Sequence, residues 1–68
     1  MKWEEKIAIY GQPLKDKIYQ CKLRQCWNKS ILEERLIWIG EDDVGFRTAE
    51  DFSEISYNWD VIEWVEVK

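Results

Sequence analysis

Sixty-eight residues with a formal net charge of −4 make one small domain, and a chain of this length buries only about 60% of its unfolded surface, so its core is marginal. Ten aromatic residues, five of them Trp, together with 46% hydrophobic residues, exclude a disordered chain. The absence of His, with only two Cys, argues against a structural zinc site, and no run approaches the ~18 apolar residues of a membrane helix.

Ile7-Ala8-Ile9-Tyr10 is too short for the apolar region of a signal peptide and follows two acids, so the sequence reads as a soluble, cytoplasmic chain. Residues 6–10 are predicted as a short strand, although Trp3, Ile7 and Tyr10 also make a helical stripe. Gly11-Gln12-Pro13 breaks the chain. Lys17 to Trp27 is the strongest strand signal, with Tyr19, Cys21, Leu23, Gln25 and Trp27 on one face. Asn28-Lys29-Ser30 then suits a three-residue hairpin loop, which pairs residue 27 with 31, 24 with 34, 22 with 36 and 20 with 38.

Glu34 to Thr48 reads as a second hairpin. Leu36-Ile37-Trp38-Ile39 is β-branched and aromatic, and Gly40-Glu41-Asp42-Asp43 is a turn cluster. A four-residue loop sets Ile39 against Val44 and Ile37 against Phe46. The alternative is a helix over residues 30–39, with Ser30-Ile31-Leu32-Glu33 as a capping box and Gly40 just past its end. An all-round apolar Leu-Ile-Trp-Ile that runs into a turn and a strand favours the hairpin. The two loop lengths then collect Tyr19, Cys21, Leu23, Trp27, Ile31, Ile37, Ile39, Val44 and Phe46 on one apolar face, and put Arg24 opposite Glu34.

Thr48 to Ile55 is predicted as a short helix, with Thr48 as N-cap, Glu50 and Asp51 at its positive end, and Phe52 and Ile55 covering one end of the sheet. Trp59 to Val67 is a final strand, apolar on both faces and therefore central or doubly covered. The predicted fold is mainly β: a small antiparallel sheet, rolled toward a five-stranded barrel-like meander with one short helix. The fallback is α+β with residues 30–39 helical.

Charge is divided unevenly. Residues 1–32 hold seven basic and three acidic groups, net +4, and residues 33–68 hold three basic and eleven acidic groups, net −8. The acids Glu41, Asp42, Asp43, Glu50, Asp51 and Glu54 are candidates for contacting a basic surface on a partner protein, against the plain alternative of a solvated surface that aids solubility. Direct nucleic-acid binding through this half is disfavoured by phosphate repulsion. In the register above, Lys22 and Arg47 lie diagonally from Trp38 with Arg24 one row on, a layout suited to a nucleotide base and phosphate; the alternative is that Trp38 is packed.

No cofactor or metal is expected, because Glu41, Asp42 and Asp43 lack the spacing of a calcium loop. Cys21 and Cys26, about 16 Å apart on one strand at ~3.3 Å per residue, should not bridge. Without His, and with Ser30, Ser53 and Ser56 lacking an activating partner, catalysis is not expected. The sequence therefore predicts a small, acidic, non-enzymatic binding protein, an inhibitor or accessory protein that blocks a partner's basic surface. Its composition is compatible with such proteins from viruses and mobile elements. A homo-oligomer that sequesters an anionic ligand such as a nucleotide, or a structural subunit of a larger assembly, are the alternatives.

Overall fold

In a computed structural model that describes residues 2–42, 45–56 and 58–67, one helix, α1 (Trp3–Tyr10), precedes four strands. These are β1 (Lys17–Gln25), β2 (Ile31–Trp38), β3 (Phe46–Thr48) and β4 (Trp59–Glu66). The fold is mainly β, with the strands in one open antiparallel sheet of order β3-β2-β1-β4. The first three strands are sequential neighbours and the fourth returns to lie beside the first, which is a Greek-key order. The sheet has four strands and stays open, rather than five rolled toward a barrel, because residues 6–10 are helical. Among the described residues no helix is long and apolar enough to cross a membrane.

Tertiary packing decides α1. Trp3, Ile7 and Tyr10 lie at i, i+4 and i+7 and pack on the sheet, while Ile9, which suggested strand alternation, is exposed. Glu4 and Glu5 occupy the first turn, where carboxylates suit the dipole. Gly11, at φ 90°, ends the helix by donating its N–H to the Ile7 carbonyl at 2.9 Å. Lys6 is 1% exposed and meets Asp60 at 3.0 Å, which joins α1 to β4.

The register differs from the sequence expectation at both hairpins. β1 pairs with β2 as Lys22↔Glu33, Cys21↔Glu34 and Tyr19↔Leu36, with Arg24 opposite Ile31 rather than Glu34. β2 pairs with β3 as Trp38↔Phe46 and Ile37↔Arg47. Each register is displaced by an odd number of residues, so β2 is turned over while β1 and β3 keep their faces. The core is Tyr19, Cys21, Leu23, Leu36, Trp38, Phe46, Val61 and Trp64. Ile37 and Ile39 lie on the other parity of β2 and are half-buried, and Trp27 and Ile31 are exposed. Val44 lies outside the described residues.

A four-residue loop sets the β1–β2 register, and a second one follows β3. At residues 26–29, Gln25 N–H bonds the Ser30 carbonyl, Lys29 N–H bonds the Gln25 carbonyl, and Lys29 has φ 62°. At residues 49–52, Thr48 N–H bonds the Ser53 carbonyl, Phe52 N–H bonds the Thr48 carbonyl, and Phe52 has φ 61°. The first turn takes Cys26 and Trp27 out of the strand. The second replaces the predicted helix over 48–55 and leads into an Arg47↔Glu54 bridge. Phe52 is exposed there and covers nothing, whereas Ile55 packs against the core.

β4 is an edge strand rather than a central one. A bulge matches Leu23 with Val61 and Lys22 with Glu63, leaving Ile62 unmatched, so Val61 and Trp64 both reach the core. At the β2–β3 turn, Gly45 has no room for a side chain: a Cβ there would lie 2.0 Å from the Gly40 carbonyl oxygen.

Two substitutions test the register. Leu36→Ala, at a site with 0% exposure, should cost about 2–5 kcal/mol in urea unfolding, and Ile37→Ala about 1 kcal/mol or less; the reverse ranking would contradict the assigned faces. Phe52→Gly should raise stability by about 0.5–1 kcal/mol, because glycine relieves the left-handed backbone and an exposed ring has little packing to lose.

Candidate functional site

β3 is three residues long and pairs only with Leu36, Ile37 and Trp38. Beyond Leu36, no strand among the described residues lies beside the outer edge of β2. The hydrogen bond from Gln25 N–H to the Ser30 carbonyl directs Ser30 and every second residue after it toward β1. Ile39 N–H bonds the Gly45 carbonyl on the other side, consistent with that alternation. The main-chain groups of Ile31 and Glu33 therefore point outward, and neither has a backbone partner on that side among the described residues, while the Arg35 carbonyl, next to the Leu36↔Thr48 pair, faces the Ala49 amide.

The 49–52 loop stands beside this bare edge. Between them lies an open cleft of about 460 Å³ lined by Glu34, Arg35, Thr48, Ala49, Glu50, Asp51 and Ser53. Its floor combines both parities of β2, since Glu34 shares the face of Leu36 and Arg35 the face of Ile37. Of the four charged groups lining it, Glu34, Glu50 and Asp51 are acidic and Arg35 is basic.

Asp51 holds the loop together. Its carboxylate accepts from the Thr48 hydroxyl and, at 3.1 Å, from the Ser53 amide. Hydrogen bonds from the Ser53 hydroxyl, then from Thr48 and the Ser53 amide, hold its carboxyl below the usual value of 3.8. The remaining predicted acids flank β3. Glu41 is exposed at φ 80°; Asp42 is half-buried, and its carbonyl accepts from Trp38 Nε1 and the Gly45 amide, each at 2.9 Å. Asp43 lies outside the described residues. Glu50 is exposed, and Glu54 pairs with Arg47 at 3.3 Å with its own side chain 79% exposed.

The predicted cationic cluster is rearranged. Lys22, Arg24 and Arg47 share the sheet face away from α1, joined there by Arg35, and Lys22 approaches Glu63 at 3.8 Å. Trp38 is on the opposite side, 7% exposed and stacked on Trp3 with ring centroids 6.3 Å apart. A base cannot lie on that ring beside those cations. Glu34, Ser53 and the backbone of Ile31, Glu33 and Arg35 were not singled out from the sequence, because a bare edge depends on where β3 stops.

Cys21 and Cys26 are not joined in a disulfide. Cys21 is buried, donates to the Tyr19 carbonyl at 3.6 Å, and is pushed up to about 12 by burial and by the nearby Glu34 carboxylate, so it stays protonated. Cys26 sits exposed in the first loop. Among the described residues no group of three or more His, Cys, Asp or Glu is arranged to hold a metal.

Because Asp51 binds protons more weakly folded than unfolded, its contribution to stability is complete above its ordinary value of 3.8 and is lost as pH falls through its lowered one. Asp51→Asn should therefore lower stability at neutral pH and remove that part of the acid dependence; identical acid profiles for the two proteins, followed by urea unfolding, would rule the loop contact out. Comparison with protein-family models, with curated proteins and with solved structures finds no match.

Proposed function

We propose that this chain is a non-catalytic protein-binding module, acting as an inhibitor or accessory protein that presents an acidic flank to a basic surface on a partner. The observation that supports this most directly is the placement of the acids. The hairpin turn with Glu41 and Asp42 and the loop with Glu50 and Asp51 stand at the two ends of β3, on one side of the molecule. Carboxylates spaced along one flank give a field that steers a basic partner and fixes its orientation.

The buried reactive groups favour binding over chemistry. Lys6 is ion-paired with Asp60 and Cys21 is protonated and hydrogen-bonded. Both are used to build the fold. The nucleotide-sequestering alternative loses support, since its stacking ring belongs to the core.

The test is a partner captured by cross-linking to the full chain, purified, and titrated at low and physiological salt. Affinity should fall as salt rises. The double variant Glu41→Lys, Glu50→Lys should weaken binding by about tenfold or more, roughly 1.4 kcal/mol, and flatten the salt dependence. Undiminished binding by that variant, or recovery of only acidic partners, would remove the acidic flank as the contact surface.

A further inference from the structure

We infer that the outer edge of β2 from Ile31 to Arg35 is a strand-addition site for an extended basic segment of a partner protein, with the cleft beside it receiving an Arg or Lys side chain. The inference rests on the protein-binding reading above and names the partner's form and chemistry.

Three independent features meet at this edge. The first is the main chain: Ile31, Glu33 and Arg35 direct three N–H groups outward, and Ile31 and Glu33 two C=O groups, without a backbone partner among the described residues. An added strand satisfies such groups and takes its affinity from them. The second is apolar surface at the upper end. Ile31 is 54% exposed, Leu32 44% and Trp27, in the adjoining loop, 71%, so the segment has side chains to rest on. The third is charge at the lower end. Glu33, Glu34, Glu50 and Asp51 stand around the edge and cleft, with Arg35 among them and Lys22 across from Glu33 on the inner side.

Parity sharpens the expected sequence. Side chains of an added strand alternate between the two faces. On the α1 face they meet Leu32 and then Glu34, at the cleft that Glu50 and Asp51 also line. On the open face they meet Ile31, Glu33 and Arg35. The favoured occupant therefore sets an apolar side chain by Leu32 and a cation by Glu34, both on the α1 face, with an acidic or neutral residue by Arg35 on the other. The site spans about 16 Å, five residues at ~3.3 Å each.

A second copy of this chain fits less well. An antiparallel pairing that engages all of residues 31–35 with themselves sets Glu33 directly against its own copy, and like charges directly opposite each other destabilise a sheet. The same carboxylates that blunt self-pairing at an edge attract a basic strand.

The experiment selects short random peptides displayed on phage against the full chain, then titrates synthetic copies of the enriched peptides against the parent, Glu33→Pro and Glu33→Ala. Proline at 33 removes only an outward N–H, the position where an edge strand tolerates it. The enriched peptides should carry Arg or Lys among β-branched residues, and should slow hydrogen exchange at the amides of Ile31, Glu33 and Arg35. Glu33→Pro should weaken binding by about tenfold or more, and Glu33→Ala, which keeps the N–H, by much less. If Glu33→Pro melts appreciably lower than the parent, a chain synthesised with an ester in place of the Leu32–Glu33 amide removes the same donor and takes its place.

Failure to enrich basic peptides, protection at other amides, or equal binding by the parent and the Glu33→Pro or ester chain would overturn strand addition. The broader reading fails separately. A captured partner that ignores Glu33→Pro but is lost on Glu41→Lys, Glu50→Lys leaves the acidic flank standing without strand addition, and a partner indifferent to both removes the two together.

Discussion

The fold depends on where one indole lies. Trp3 packs against Trp38 at 6.3 Å and 13°, Trp64 at 5.2 Å and 29°, and Phe46 edge-on at 6.4 Å. These rings come from β2, β4 and β3, so a single side chain on α1 gathers the three strands other than β1. Aromatic pairs add about 0.5–1.5 kcal/mol each beyond the area they bury, a large increment in a domain of marginal core size. The stack also determines which way β2 faces. With Trp38 committed to the helix side, Leu36 must follow it, and Ile37 and Arg35 fall to the open side.

That commitment explains what was legible in the sequence and what was not. The strand from Lys17, expected to reach Trp27 and ending at Gln25, the preference for strand over a helix at 30–39, and the core positions Tyr19, Cys21, Leu23 and Phe46 follow from period-2 patterning and recur in the structure. The parity of β2 does not, because Leu36-Ile37-Trp38-Ile39 is apolar in both phases and either choice gives a plausible face. Turn chemistry would normally decide, but the loop before β2 places a side-chain-bearing residue, Lys29, in the left-handed region where glycine is the usual signal, and Phe52 disguises the 49–52 loop in the same way. The α1 stripe was visible as a pattern and decided only by the sheet beneath it, and the bulge at Ile62 left no trace in composition. For the candidate site, the acids were readable one by one. Their assembly beside a bare edge was not, since it follows from β3 ending after three residues.

The uneven division of charge along the chain is partly cancelled in space. Lys6 meets Asp60 and Lys22 meets Glu63, so two basic groups from the first half offset two acids of β4. The first pair has a nearly buried lysine and ties helix to strand; the second, with both partners more than 40% exposed, contributes little. On the β3 side Arg47 meets Glu54. Folding thus converts a difference between sequence halves into a difference between the two edges of the sheet.

The union of α1 with β4 orders assembly in time. Lys6 and Asp60 are separated by 54 positions, and Trp3 and Trp64 by more, so these contacts close nearly the whole chain. The β1–β2 hairpin, joined by four residues, carries little loop-closure entropy and can form early. α1 is made first yet has no complete surface to rest on until Trp64 has left the ribosome. The amphipathic helix, too short to persist alone in water, waits for the last of the four strands before it can dock.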